Sequence, residues 1–165
     1  MKTFLIVAQT LDGFIAKDPG HTPLEWTSAE DKKFFAERTI KAGTIVLGEN
    51  TYNTIGRPLP NRRNIVYTSK EQIEGVETTT EDPAALLQRL EQEGVLEAAV
   101  CGGSTVYTMF LKAGLIDTMY ITLEPVVFGA GVSLFNEAVE ARLELASSTP
   151  LNKRGSVLLE YNVIR

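Results

Sequence analysis

Ala98-Ala99-Val100-Cys101-Gly102-Gly103-Ser104-Thr105-Val106-Tyr107 decides the fold. Residues 98–101 read as a buried strand, the two glycines as a tight connection, and Ser104 as the start of a helix that runs to Lys112 and is closed by Gly114. A strand that passes directly into a helix is the repeating unit of a parallel sheet, because parallel neighbours need a crossover between them. Outward from this stretch the grammar repeats. Short apolar runs at 4–8, 44–47 and 64–67 read as further buried strands, and 117–123 continues the set. Helices are expected from Ala29 to about Lys41 and over 83–93, the latter with Pro83 just inside its start and Gly94 just past its end. The tail differs: 142–148 and 156–164 are strand-like and joined by a Pro150 to Gly155 turn, which predicts an antiparallel hairpin. The expected architecture is one α/β domain over 1–165, a mixed sheet that is mostly parallel with an antiparallel C-terminal edge and helices on both faces.

Composition bounds what such a domain does. The 165 residues are 44% hydrophobic, enough for a single full core. Lys and Arg total 16 against 21 Asp and Glu, and the net charge of −5 argues against a nucleic-acid surface. An anionic substrate therefore needs a local basic patch. The apolar run at 4–8 is shorter than the core of a signal peptide and lacks a cleavage site, so a cytoplasmic protein without a membrane partner is expected. One cysteine, Cys101, and one histidine, His21, leave no internal disulfide and no Cys- or His-rich metal cluster, so no metal is expected.

Four segments carry candidate chemistry. In Glu25-Trp26-Thr27-Ser28-Ala29-Glu30-Asp31-Lys32-Lys33-Phe34-Phe35, Ser28 is a good N-cap, which places Asp31 in the first turn on the face shared by Phe34 and Phe35. An acid on an apolar wall beside an indole can accept paired N–H donors from a flat heterocycle; taken alone, the plainer role of Asp31 is to complement the helix dipole. The Gly102-Gly103 turn is either a phosphate cradle at a helix start or simply a tight turn, and Leu47-Gly48-Glu49-Asn50-Thr51 repeats its pattern, so the two strand ends could flank one dinucleotide. In 56–64, Pro58 and Pro60 stiffen a loop bearing Arg57, Arg62 and Arg63, a candidate carboxylate clamp or a solvated loop. Finally Leu11-Asp12-Gly13-Phe14-Ile15-Ala16 reads as a turn and an apolar return, followed by a candidate mobile flap at 17–23 whose His21 is either a general acid or a solvated loop residue.

In order, these pieces resemble dihydrofolate reductase. The resemblance rests on Val7-Ala8, Ile15-Ala16, the Trp26, Asp31, Phe35 spacing, Gly48 with Thr51, Ile55-Gly56-Arg57-Pro58-Leu59-Pro60 with Arg62, Gly102-Gly103 leading to Tyr107, and Thr122. It spans 4–135, and 55–62 is its most specific part. Two stretches, 8–16 and 125–135, look instead like the reductase domain of riboflavin biosynthesis in the same superfamily. The resemblance implies reduction of 7,8-dihydrofolate to tetrahydrofolate by hydride transfer from NADPH. By similarity Asp31 and Trp26 are catalytic, with Asp31 holding the pterin's N3 and 2-amino group and promoting N5 protonation through water. Val7, Ala8, Phe35, Ile55, Leu59, Cys101 and Tyr107 would line the substrate pocket, Thr122 would fix Asp31, and Arg62 would hold the substrate's carboxylate. Ala8, Ile15, Ala16, Gly48, Glu49, Asn50, Thr51, Thr68, Ser69, Cys101, Gly102, Gly103, Ser104, Thr105, Val106 and Tyr107 would meet the cofactor.

Three positions depart from the family pattern. Glu49 stands where an arginine usually reads the 2′-phosphate of NADPH, which weakens the expected NADPH preference and leaves NADH open unless Lys70, Arg62 or Arg63 compensates. Ala16 replaces a glycine, and Gly129-Ala130-Gly131 replaces a Gly-Asp pair. The alternatives are a riboflavin-pathway pyrimidine reductase using NADPH, and a non-catalytic nucleotide-binding protein. A monomer suits the first reading and a dimer the second.

Overall fold

The computed structural model describes residues 1–165. In chain order the elements are β1 (Lys2–Thr10), β2 (Phe14–Ala16), a 3-10 turn (Pro23–Glu25), α1 (Ala29–Ala42), β3 (Thr44–Gly48), α2 (Glu49–Ile55), β4 (Arg63–Tyr67), β5 (Glu77–Thr79), α3 (Pro83–Gln92), β6 (Glu97–Val100), α4 (Ser104–Lys112), β7 (Thr118–Glu124), β8 (Val132–Ser133), β9 (Arg142–Pro150) and β10 (Val157–Ile164). Eight strands form one sheet in the order β5-β4-β3-β6-β1-β7-β10-β9, and β2 pairs with β8 in a separate ribbon. Strands β5 through β7 in that order run parallel, while β10 is antiparallel to both β7 and β9, which is the expected mixed sheet with an antiparallel C-terminal edge.

Alternation along the central strands splits the core in two. Leu5 and Val7 on β1 face one layer with Val46, Ile65, Val100 and the α3 and α4 side chains Leu86, Leu90, Val106 and Phe110. Phe4 and Ile6 face the other, with Ile45, Leu47, Val66 and Ala99, packed by Phe34 and Phe35 of α1 and Tyr52 and Ile55 of α2. Helices thus cover both faces, and parallel strands buried on both sides read as the continuous apolar runs seen in the sequence. No helix is long and apolar enough to cross a membrane.

Two elements lie outside the sequence-based expectation. β5 is Glu77-Thr78-Thr79, a polar edge strand with no apolar period to announce it. β8 is a two-residue partner of β2, with Phe14 opposite Ser133 and Ala16 opposite Val132. That pairing gives Gly131 its reason: at φ +155 its Cα sits against the Ala16 carbonyl, where a Cβ would collide. Asp12 ties the same two segments together, accepting the N–H of Gly129 at 2.7 Å and that of Phe128 at 3.2 Å.

Candidate active site

A cleft of about 1050 Å³ opens at the carboxyl ends of β1, β3 and β6. Its size suits a dinucleotide together with a small second ligand, and its place is where open α/β sheets hold ligands. Among the residues singled out in the sequence, Val7, Ala8, Ile15, Ala16, Asp31, Phe35, Gly48, Glu49, Asn50, Thr51, Ile55, Leu59 and every residue from Cys101 to Tyr107 line it. Segments up to about a hundred residues apart in sequence therefore meet on one surface.

Asp31 lies on the α1 wall. The Ser28 hydroxyl caps α1 by accepting the Asp31 N–H at 3.2 Å. The Asp31 side chain is 9% exposed. Burial pushes its carboxyl up to about 6; the Thr122 hydroxyl opposes that rise, the Glu124 carboxylate adds to it, and Lys32 opposes it more weakly. An acid with this value exchanges a proton near neutrality, which a first-turn acid complementing a dipole in solvent would not do.

Two helix starts open into the cleft without capping side chains. α1 and α3 are capped by Ser28 and Asp82, whereas α2 and α4 begin at Gly48 and Gly103 with no side-chain cap. The first N–H groups of the nine-residue α4 are thus free to face an anion. Glycines keep that space clear. A Cβ on Gly103 would lie 3.1 Å from the Thr51 Oγ1, and one on Gly102, at φ +118, would press on the Tyr107 hydroxyl and Thr51. The Gly48 N–H donates to the Gly102 carbonyl at 2.8 Å, locking the two strand ends side by side. The Tyr107 hydroxyl, donating to the Ile6 carbonyl at 2.8 Å, ties α4 back to β1.

The far end of the cleft carries Glu49. Its carboxylate accepts the Thr68 hydroxyl at 2.6 Å and is ion-paired with Lys70. Lys70 first, and Thr68 second, hold it below the usual carboxylate range. Lys70 is therefore committed to Glu49, and Arg63 is engaged elsewhere with Glu77 and Glu93.

Five expected site residues stand off the cleft wall. Thr122 is buried behind Asp31. Thr68 reaches the cleft only through Glu49, and Ser69 is exposed beside it. Trp26 packs edge-on against Phe128 at 5.2 Å, with its indole N–H buried and without a partner. Arg62 donates from Nη1 to the Thr39 hydroxyl at 2.7 Å and from Nε to the Pro60 carbonyl at 2.9 Å, and pairs with no acid. Burial pushes its guanidinium below the usual value.

Conversely Lys32, Arg57, Tyr67 and the Val132, Ser133 and Phe135 segment line the cleft. Lys32 lies in the 25–35 segment and Arg57 in the 56–64 loop, but nothing in their spacing tells which neighbour faces inward. His21 also lines it. Its side chain is 11% exposed, its Nδ1 accepts the Lys17 N–H at 3.1 Å and its ring abuts Phe128 at 5.7 Å, so it is a packed residue rather than a solvated one.

Comparison with known proteins identifies the family and the fold. The family model described as dihydrofolate reductase matches residues 2–161. An uncharacterized protein of Bacillus subtilis, YwjB, is 31% identical over 97% of this chain and 97% of its own length. The dihydrofolate reductase HdrB of Haloferax volcanii is 35% identical over 70% of this chain and 63% of its own length. In shape, a putative riboflavin biosynthesis protein from Shewanella sp. PV-4 superimposes with a TM-score of 0.86 at 22% identity, covering 100% of both chains. The Enterococcus faecalis dihydrofolate reductase complexed with NADP(H) gives 0.73 at 29% identity, covering 99% of this chain and 97% of that one. Both solved structures share the fold of this chain.

Proposed function

The chain belongs to the dihydrofolate reductase family, and on that premise we propose that it reduces 7,8-dihydrofolate to tetrahydrofolate with hydride from a reduced nicotinamide dinucleotide, NADPH in preference to NADH but with that preference weakened by Glu49. The observation that carries the reading is Asp31: a buried carboxyl in the wall of the cleft that Phe35 also lines, pushed up to about 6 by burial.

The dinucleotide, when bound, supplies the hydride. The chain's own residues do the rest. Ionised, Asp31 offers two oxygens to the adjacent N–H donors of a pterin edge; protonated, it is a proton source for N5 through water. Phe35, Ile55 and Leu59 cover the ring and exclude bulk water, which sharpens the electrostatic contact with Asp31. The open α4 start takes the pyrophosphate, and Gly102 and Gly103 allow its close approach. Arg62, preset by Thr39 and Pro60 with no acid attached, keeps guanidinium donors for the substrate's carboxylate. Trp26 stands behind the pocket, edge-on to Phe128, whose ring in turn abuts the cleft-lining His21. A monomer suits this reading.

The test is loss of absorbance at 340 nm with dihydrofolate and either NADPH or NADH, with methotrexate as inhibitor. Turnover that methotrexate blocks is expected. Turnover only of a phosphoribosylamino-pyrimidine would replace this reading with the riboflavin-type reductase, and tight dinucleotide binding without oxidation would replace it with a binding protein.

A further inference from the structure

We propose that Glu124, at the end of β7, is a positioning residue for Asp31: it anchors the Ser28 cap that fixes the first turn of α1, and it keeps a second buried carboxylate beside the Asp31 carboxyl. This rests on the role given to Asp31 above.

The geometry is a ladder between α1 and β7. Phe34 packs on Tyr120 with ring centroids 5.5 Å apart, Asp31 faces Thr122, and Ser28 meets Glu124. Three-residue steps back along α1, about 4.5 Å each, run beside two-residue steps forward along β7, about 6.6 Å each, so the three pairs follow one another in order. Glu124 Oε1 accepts both the Ser28 N–H at 2.9 Å and its hydroxyl at 2.7 Å, and Oε2 accepts the Ser156 hydroxyl at 2.6 Å. Ser28 Oγ in turn accepts the Asp31 N–H at 3.2 Å. Hydrogen bonds in series polarise one another, so a charged acceptor at Glu124 strengthens the cap.

Glu124 is 3% exposed and is satisfied by hydroxyl and backbone donors, not by a cation. The other titratable groups near the pair lie to the side. On α1, Lys32 donates to the Leu24 carbonyl and Glu30 accepts from Asn152, with Arg154 of the β9–β10 turn nearby; from α4, the Tyr107 hydroxyl is buried and spent on Ile6. No cation pairs with Glu124, and Lys32 opposes its effect on Asp31 only weakly. An unneutralised buried neighbour of like sign is one way to keep an acid protonated further up the pH scale.

The experiment is a ¹³C-carboxyl NMR titration of the ligand-free protein, wild type against Glu124→Gln and Ser28→Ala. Wild-type Asp31 should titrate near 6, and Glu124→Gln should move that midpoint down by roughly half a pH unit or more. Ser28→Ala removes the cap hydroxyl but keeps the charge, and should move it less. An unmoved midpoint in folded Glu124→Gln, or an equal movement in Ser28→Ala, overturns the proposal. Should Glu124→Gln not fold, the wild-type spectra decide: a Glu124 carboxyl already neutral where Asp31 titrates overturns it, and a charged one supports it. No substrate is present, so a failure to turn over dihydrofolate leaves this result standing on its own.

Discussion

At one end of the cleft Asp31 is buried against α1 and β7, with no cation paired to it and its proton exchange raised to about 6. At the other end Glu49 is partly exposed, bound by Lys70 and Thr68, and held below the usual carboxylate range. Both acids sit in the first turn of a helix, the setting in which an acid complements the dipole. Their surroundings separate them. Burial without an ion-pair partner raises Asp31, whereas pairing with Lys70 lowers Glu49.

The largest expected effect breaks the comparison at its buried end. Asp31→Asn should leave the circular-dichroism spectrum intact and lower kcat for dihydrofolate by about 10²- to 10⁴-fold at neutral pH, the range lost with a positioned acid–base group; unchanged kcat would remove Asp31 from the mechanism.

The same substitution should stabilise the protein. Because the folded-state value of Asp31 lies above the unfolded 3.8, the native state binds the proton more tightly, so stability falls as pH rises from about 4 through about 6 and stays lower above. Urea unfolding should show Asp31→Asn gaining on the order of 2 kcal/mol at pH 7.5 and little near pH 4. A gain independent of pH would contradict the burial account.

At the paired end, Glu49→Arg should raise the NADPH to NADH ratio of kcat/KM about tenfold or more, since it replaces repulsion of a 2′-phosphate with a charge-assisted contact. An unchanged ratio would place Glu49 away from the phosphate. Smallest is Lys70→Ala, expected to lower NADPH use a few-fold while shifting stability by less than about 0.5 kcal/mol, because the Lys70 side chain is 59% exposed and such pairs are weak.

How much of this was legible in the sequence follows from what each feature depends on. The parallel core was, because strands buried on both faces and separated by helices leave continuous apolar runs and Gly-marked ends. β5 and β8 were not: a polar edge strand of three residues and a ribbon of two are defined by their partners, not by their own pattern. Asp31 was legible as a cap-plus-aromatic arrangement, but its rise to about 6 depends on burial and on Glu124, which lies about ninety residues away in sequence and reaches α1 only through the fold. The commitment of Lys70 to Glu49 is likewise a product of β3 and β4 lying side by side.

The most direct test of the account is the pH dependence of hydride transfer, followed in single turnovers with dihydrofolate. The rate should fall with rising pH as Asp31 loses its proton, and Asp31→Asn should abolish that dependence along with most of the rate. A rate that is flat with pH in the wild type, or an Asp31→Asn enzyme that keeps both the rate and its pH profile, would contradict it.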